Sequence, residues 1–244
     1  MKDINIVHCF FEQSGVFKNA FKKNNINAFD YDIKNEYKQT DYIIDLFAEI
    51  ENAYNNEKSI FNTISTNDLI FAFFPCIYFC EMNQFFFCAN SRNFRGKSKD
   101  YIFDYIIDRN EKRAYFYNIL IKLCSIAESN NFRLIVENPY SVNHYLYNNF
   151  PYKPAIIDYN RNEKGDYFKK STQYFFLNCS PETQYNSHII AYKAKKIRSL
   201  PGHIGSACDK GRSEISSIYA ECFINDYILS KKSQYTESNL FNNL

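Results

Sequence analysis

The stretch Asp-Leu-Ile-Phe-Ala-Phe-Phe-Pro-Cys, residues 68–76, is an almost unbroken apolar run that stops at a proline and a cysteine. Such runs are typical of strands that are buried on both faces of a parallel sheet. Two more runs share this pattern: residues 4–11 end before Glu-Gln-Ser-Gly, and residues 132–137 end in glutamate before Asn-Pro. Segments whose apolar residues recur at helical spacing lie between these runs. This alternation over residues 1–140 predicts an α/β protein with a parallel sheet. Ligands of such sheets bind at the carboxyl ends of the strands.

The remaining elements follow from the spacing of apolar residues on either side of this stretch. Apolar residues from Val16 to Phe21 recur at helical spacing, which predicts a helix whose lysines, Lys18 among them, face away from the core. Further predicted elements are strands at 27–32 and 172–177, a short segment at 42–45, and helices at 45–54, 111–130 and 213–229.

Composition limits the class of protein before any motif is considered. Among 244 residues, 45% are hydrophobic and 23% are charged, which excludes a fully disordered chain. A formal charge of +2 argues against a polycation that coats nucleic acid, although it permits a local basic patch. Only six glycines and six prolines occur, too few for a β-sandwich with many turns.

Cysteine usage and the lack of targeting segments indicate the compartment. The eight cysteines form no CxxC pair, so we expect reduced thiols, and Cys76, Cys80 and Cys88 lack the paired knuckle of a zinc site. We therefore expect no metal. The start of the chain has no pattern of a signal peptide, and no apolar run reaches 18 residues. These features predict a cytoplasmic protein that does not insert into a membrane.

Five polar clusters at predicted strand ends occur in an order that resembles the cytosine-5 DNA methyltransferases. The segment from Phe11 through Ser14 and Gly15 to Phe21 resembles the strand, glycine loop and helix that hold S-adenosylmethionine. Asp32 stands at the place of the acidic residue that binds the ribose, and Asp45 at that of the carboxylate near the adenine. Asp45 is equally well placed to cap the helix that follows it.

The other clusters resemble the catalytic motifs of the same family, in particular its short phage and bacterial forms. Phe74-Pro75-Cys76 resembles the Pro-Pro-Cys loop, and Glu137-Asn138-Pro139 resembles the Glu-Asn-Val or Glu-Asn-Pro motif. The segment from Gly165 to Thr172, with Lys169 and Lys170, resembles a Gly-Asp…Lys-Lys-x-Thr segment, and Arg212-Ser213 resembles the closing segment. The resemblance covers about residues 6–229.

This resemblance implies a Rossmann-like methyltransferase fold, a mostly parallel sheet with helices on both faces, and methyl transfer to carbon 5 of cytosine in DNA. It implies that Cys76 is the nucleophile and that Glu137 binds ring nitrogen 3 of a flipped base. The expected cofactor is S-adenosylmethionine, held by Phe11, Ser14, Gly15, Asp32, Asp45 and Pro75. The expected DNA contacts are Asn138, Lys169, Lys170, Thr172 and Arg212.

The same resemblance gives the domain organisation. We expect a methyltransferase-like catalytic domain over residues 1–177 and a C-terminal helix over 212–229 that packs back on it. Residues 178–211 would be a short basic insertion, with Lys193, Lys195, Lys196 and Arg198, that replaces a full target-recognition region. Residues 230–244 would be a polar tail. So short an insertion leaves room for weak specificity or for a protein partner in target recognition.

Departures from the family pattern leave two alternatives open. Gln13 replaces the first loop glycine and Phe74 replaces the first proline, so a degenerate module that binds nucleic acid, a nucleotide-like ligand or a partner protein is one alternative. The other takes Asn138-Pro139-Tyr140 as a reduced Asn-Pro-Pro-Tyr motif of amino-methylating enzymes. Tyr140 is a candidate for stacking on a flipped base, with packing against its neighbours as the alternative role.

Overall fold

The structure is a computed structural model that describes residues 1, 3–190, 193 and 214–232. Its strands are β1 (Ile6–Phe10), β2 (Asn27–Asp32), β3 (Tyr42–Ile43), β4 (Leu69–Phe73), β5 (Arg133–Pro139), β6 (Ile156–Asp158) and β7 (Thr172–Leu177). Its helices are α1 (Val16–Lys23), α2 (Leu46–Tyr54), α3 (Glu81–Gln84), α4 (Lys99–Asn130), α5 (Tyr145–Asn149) and α6 (Ser217–Phe223), the last extended by a π-helical turn over Ile224–Leu229.

All seven strands form one mixed, mostly parallel sheet in the order β3-β2-β1-β4-β5-β7-β6. The pairs β2–β3, β1–β2, β1–β4 and β4–β5 are parallel, whereas β7 runs antiparallel to both β5 and β6. The strand order reverses direction between β1 and β4, which makes their carboxyl ends a topological switch point. The carboxyl ends of β1 to β6 and the start of β7 therefore meet at one edge of the sheet.

Helices cover both faces of the sheet, and each face has its own hydrophobic core. On one face, α2 and α4 pack over Phe10, Ile70 and Val136. On the other face, α1 and α6 pack over Val7, Phe71 and Ile135. Because the side chains of a strand alternate between faces, a strand that is apolar at every position serves both cores. The prediction of an α/β protein with buried parallel strands is confirmed.

The structure corrects several expectations about elements. The helix predicted at 111–130 begins at Lys99, and Ala114 on its expected core face is exposed. Lys18, expected to face solvent, is buried. The strand β6 and the helix α5 were not expected. In the C-terminal helix, Cys222 and Ile228 are buried as expected, while Ile218 and Leu229 are half-buried.

Parts of the expected domain organisation lie outside the described residues. These are most of the basic insertion, including Lys195, Lys196 and Arg198, together with Arg212 and most of the polar tail. The division into domains stays a prediction. Within the described residues, no helix has both the length and the apolar composition needed to cross a bilayer.

Candidate active site

The loop after β4 and the end of β5 lie side by side and bring the two predicted catalytic residues to one place. Phe73 and Glu137 are register partners in the parallel pairing of β4 and β5, and Cys76 follows three residues after Phe73. The buried Asn138 side chain connects the loop after β4 to the end of β5. Its Nδ2 donates to the carbonyl oxygen of Phe74 at 2.8 Å and to that of Glu137 at 3.0 Å. Asn138 Oδ1 is also buried and has no hydrogen-bond partner among the described residues.

The surroundings of Cys76 favour the thiolate form of its side chain. Its carbonyl oxygen accepts from the backbone N–H groups of Phe79, at 2.9 Å, and Cys80, at 3.1 Å, so that one turn of chain brings the Cys80 side chain back to Cys76. A hydrogen bond from the Cys80 thiol lowers the pKa of Cys76, and the charge of Lys170 lowers it further, against the opposing effects of burial and of Glu137. Stabilisation of the thiolate is what a sulfur nucleophile needs near neutral pH.

Glu137 lies in a different environment, although it is close to the same lysine. The side chain is buried, and this burial raises the pKa of its carboxyl group above the usual value. The positive charges of Lys170 and Arg161 oppose the rise without cancelling it. A carboxyl group that retains its proton can donate a hydrogen bond to a ring nitrogen. The two predicted catalytic groups therefore have pKa shifts in the directions that their expected roles require.

The loop after β1 carries the residues predicted to hold the cofactor. Gly15 precedes α1 with a φ of 68°, in the left-handed region where a side chain is strained, and a Cβ atom there would lie 3.2 Å from Gln39 Cβ. Ser14 Oγ lies 3.4 Å from Val16 N. Phe11 also has a positive φ, of 60°, which is rare for an aromatic residue and typical of strained functional loops.

Glu12 was missed in the sequence, and it occupies the start of α1. Its carboxylate accepts from the backbone N–H of Phe17 at 2.8 Å and that of Lys18 at 3.1 Å. Burial raises the pKa of Glu12 to about 7 despite these bonds. A helix N-terminus is a ready site for a phosphate, but an internal carboxylate already fills it here. The only sequence signal was an acidic residue directly after the first strand.

Asp32 and Asp45 lie at the carboxyl edge as predicted. Asp32, at the end of β2, is half-buried, and burial raises its pKa while a 2.8 Å hydrogen bond from Lys34 N opposes the rise. Asp45 is exposed and caps α2, with Oδ1 accepting from Phe47 N at 3.0 Å. The capping role of Asp45 is confirmed, whereas contacts of either residue with a cofactor stay predictions.

Phe74 and Gln13 stand where the family pattern has a proline and a glycine. Phe74 is buried against Phe11, with ring centroids 5.3 Å apart, and against Phe47 at 5.9 Å. Pro75, next to this aromatic group, is half-buried. Gln13 Oε1 accepts from Glu36 N at 3.4 Å and so connects the loops that follow β1 and β2. The space beside Gly15 is thus narrower than a loop with two glycines would leave.

Buried charges lie beneath the start of α1, next to the loop that follows β1. Lys18 Nζ lies 2.9 Å from Asp30 Oδ1 and 3.2 Å from Asp41 Oδ2, and it also donates to the carbonyl oxygen of Gln39. Because β2 places Asp30 directly behind α1, the lysine extends towards the sheet rather than into water. This cluster holds the 39–41 segment against the start of α1, next to Gly15.

The residues predicted to contact DNA divide into two groups. Lys169 is exposed and Lys170 is half-buried, both directly before β7 at the carboxyl edge. Thr172, in contrast, is fully buried, and its Oγ1 accepts from Arg161 Nη1 at 3.5 Å. The Thr172 hydroxyl thus faces the interior and contacts Arg161, and a DNA contact of Thr172 stays a prediction.

Arg161 is the charged residue of this region that sequence reasoning missed. It is fully buried, its Nε donates to Asp166 Oδ2 at 2.6 Å, and its guanidinium lies 4.9 Å from the ring centroid of Tyr219. Asp166 Oδ1 in turn accepts from Ser216 N at 2.9 Å, which fixes the start of α6. The Gly-Asp pair was the only signal, and it indicated a motif rather than this ion pair.

Among the described residues, no group of three or more histidine, cysteine or acidic side chains is arranged to hold a metal ion. No protein-family model matches the sequence. No curated protein is similar enough to count as a relative.

Proposed function

We propose that this chain is an S-adenosylmethionine-dependent DNA methyltransferase that acts on carbon 5 of cytosine. The observation that carries the proposal is the junction of Cys76 and Glu137, where one lysine, Lys170, influences both groups. A thiol with a lowered pKa beside a carboxyl group with a raised pKa is an arrangement suited to covalent addition to a ring that is protonated or hydrogen-bonded at nitrogen.

The sheet supports a Rossmann-like methyltransferase fold. Its first five strands follow the order of a doubly wound fold. The loop that carries Gly15 follows β1, on one side of the switch point between β1 and β4, and Cys76 and Glu137 lie on the other side, at the ends of β4 and β5. A Cβ atom at Gly15 would lie 3.2 Å from Gln39 Cβ and 3.3 Å from Asn19 Nδ2, so the glycine lets the chain's own side chains pack closely against the start of α1. Because Glu12 fills the start of α1 and Asp32 lies nearby, the site favours a cationic ligand such as a sulfonium over a nucleotide phosphate.

In the proposed mechanism, the chain's own residues prepare the base. The Cys76 thiolate adds to ring carbon 6, and the Glu137 carboxyl donates a hydrogen bond to ring nitrogen 3, so that electron density moves to carbon 5. S-adenosylmethionine, when bound, supplies the methyl group for that carbon. The methyl transfer leaves S-adenosylhomocysteine. Water acts as the base that takes the proton from carbon 5, and the bond between Cys76 Sγ and carbon 6 breaks with its electron pair on sulfur, which restores the thiolate and the aromatic ring. Lys170 stabilises negative charge in this site throughout.

A mechanism-based trap tests the proposal. 5-Fluorocytosine carries fluorine in place of the hydrogen on carbon 5, and a base cannot remove fluorine as it removes a proton. The elimination is therefore blocked, and the chain with S-adenosylmethionine should form a covalent adduct with such DNA that survives denaturing electrophoresis. Cys76→Ser should abolish the adduct, whereas Cys88→Ser, which changes an exposed cysteine, should retain it. An adduct that persists in Cys76→Ser, or no adduct with any 5-fluorocytosine DNA, contradicts the proposal.

A second candidate is a non-catalytic module of the same fold, favoured by the bond between Gln13 and Glu36 and by the phenylalanine cluster around Phe74. These contacts narrow the space for a cofactor. Calorimetry separates the two candidates: the methyltransferase should bind S-adenosylmethionine, and Asp32→Ala should weaken that binding. A chain that shows no heat of binding at millimolar S-adenosylmethionine supports the module instead.

A further inference from the structure

Three tyrosines form an exposed cluster beside the candidate active site. The ring of Tyr140 contacts that of Tyr147, with centroids 5.1 Å apart and planes at 86°, and that of Tyr159, at 5.5 Å and 90°. Tyr159 is 66% exposed, and Tyr140 and Tyr147 are half-exposed. We call this group the tyrosine cluster. It lies outside both hydrophobic cores, so core packing does not explain it.

Backbone bonds hold the tyrosine cluster in place at the carboxyl edge. Tyr140 N donates to the carbonyl oxygen of Ser171 at 2.9 Å, and Ser171 Oγ donates to the carbonyl oxygen of Tyr159 at 2.7 Å. Tyr140 comes two residues after Asn138, and Tyr159 directly follows β6, whose carboxyl end is at this edge. The cluster is thus tied to the segment that carries Lys170.

Positive charge lies on the segment to which the tyrosine cluster is bonded. Lys169 and Lys170 precede Ser171, and Lys169 is exposed. Aromatic rings beside lysines are the combination with which proteins bind single-stranded nucleic acid, since the bases stack on the rings and the phosphates meet the cations. An aromatic ring held rigidly at the surface binds at a low cost in conformational entropy.

We propose that Tyr140, Tyr147 and Tyr159 form a stacking platform for an unpaired base of the DNA strand that carries the target cytosine. This inference rests on the proposed function, because it identifies the substrate as a strand with unpaired bases next to the target. Stacking needs no particular base, so the platform supplies affinity without sequence readout. It therefore suits a chain in which the predicted target-recognition region is short.

Binding of a labelled single-stranded oligonucleotide to the full chain, measured by fluorescence anisotropy without cofactor, tests the platform. Tyr159→Ala should weaken binding at least fivefold, and Tyr159→Phe, which keeps the ring, should bind as the wild type does. Tyr54→Ala is the matched control: it removes a 49% exposed tyrosine at the C-terminal end of α2, outside the tyrosine cluster, and should have no effect on binding. Tyr147→Ala repeats the test at a second position.

Salt dependence separates stacking from attraction to phosphate. Loss of a ring should leave the slope of log affinity against log salt unchanged, whereas Lys169→Ala should reduce it by about 0.7, the value for one phosphate contact on a single strand. One abasic residue beside the target should weaken wild-type binding but should not further weaken binding by Tyr159→Ala. Equal affinities of wild type, Tyr159→Ala and Tyr147→Ala, or no binding of single strands by the wild type, would overturn the platform.

The covalent trap and the binding assay distinguish a wrong platform from a wrong proposed function. If the platform is wrong, Tyr159→Ala binds as the wild type does while 5-fluorocytosine DNA still traps the chain. If methyl transfer is wrong, the trap fails while the difference between Tyr159→Ala and Tyr159→Phe persists.

Discussion

Asn138 Nδ2 lies 2.8 Å from the carbonyl oxygen of Phe74, and this hydrogen bond joins the two segments that carry the candidate catalytic residues. Asn138 is fully buried, so removal of its side chain leaves the carbonyl oxygens of Phe74 and Glu137 without this donor inside the protein. The position of Cys76 relative to Glu137 thus depends on an amide that itself has no reactive role in the proposed chemistry.

Asn138→Ala should lower the free energy of unfolding by about 1–3 kcal/mol, the cost of leaving a buried polar partner unsatisfied. It should also reduce formation of the 5-fluorocytosine adduct, because the loop that carries Cys76 loses its tie to β5. Urea unfolding followed by circular dichroism measures the first effect. Asn149→Ala, which removes an exposed bond within α5, should leave both quantities nearly unchanged. A similar loss of stability in the two variants would argue against the buried tie.

Gly15→Ala tests whether the close approach at the start of α1 matters beyond backbone strain. Alanine in a left-handed conformation costs about 1–2 kcal/mol wherever it occurs. Gly96 also has a positive φ, of 79°, yet nothing lies within 4 Å of its missing Cβ atom. Urea unfolding should therefore show a larger loss for Gly15→Ala than for Gly96→Ala. Equal losses would mean that the neighbours of Gly15, including Gln39 and Asn19, give way without cost.

Cys80→Ala should raise the pKa of Cys76, because the Cys80 thiol donates the hydrogen bond that does most to stabilise the Cys76 thiolate. The rate of iodoacetamide alkylation at Cys76, followed by mass spectrometry against pH, reports this pKa. Cys80→Ser retains a donor and should restore much of the low pKa. Cys88→Ser serves as background, since Cys88 is exposed. An unchanged profile in Cys80→Ala would remove Cys80 from the activation of Cys76.

Lys18→Met should be strongly destabilising, by about 3–5 kcal/mol, because it leaves the buried Asp30 carboxylate without its cation. Thermal unfolding measures this loss. The control is Lys112→Ala, since Lys112 pairs with Asp108 on the exposed face of α4 and should show no measurable change. If the double variant Lys18→Met with Asp30→Asn is as unstable as the single one, the uncompensated charge is not the cause.

The sequence predicts the strands of this sheet better than the long helix or the buried charges. The bounds of β2 and β7 agree with the predicted ones, and β1, β4 and β5 lie on the apolar runs that indicate strands buried on both faces. The prediction missed the first part of α4, which begins at Lys99. Phe103 and Ile107 in this part are apolar but exposed, so the spacing of apolar residues does not mark the buried face of the helix there. The strand β6 spans only three residues, too few to form a recognisable pattern.

In the candidate site, too, some residues were predicted from the sequence and others were missed. The roles of Cys76 and Glu137 were predicted from the resemblance of their segments to the motifs of the cytosine-5 DNA methyltransferases, whereas the parallel sheet predicted only that both segments lie at one edge. Lys18 and Arg161 were missed because periodicity treats a charged residue as solvent-facing, whereas each of them pairs with an aspartate that only the tertiary structure brings near. Burial of Thr172 has the same origin, since a threonine at a strand start carries no sign of which way its hydroxyl turns.

Glu12 gives the fold a dependence on pH that can be measured apart from activity. Its pKa is raised from 4.5 to about 7, mainly by burial, with Asp30 adding to the rise and Lys18 opposing it. Between these values the folded chain keeps a proton that the unfolded chain has lost, so the free energy of unfolding should fall as pH rises from about 4.5 to about 7. The fall attributable to Glu12 is about 3 kcal/mol, since each pKa unit corresponds to about 1.4 kcal/mol.

Glu12→Gln removes this titration, and the difference between wild type and variant in urea unfolding at pH 5 and pH 7.5 isolates it from other carboxyl groups. Parallel stability curves for the two proteins across this range would show that Glu12 is ionised in the folded chain at both pH values.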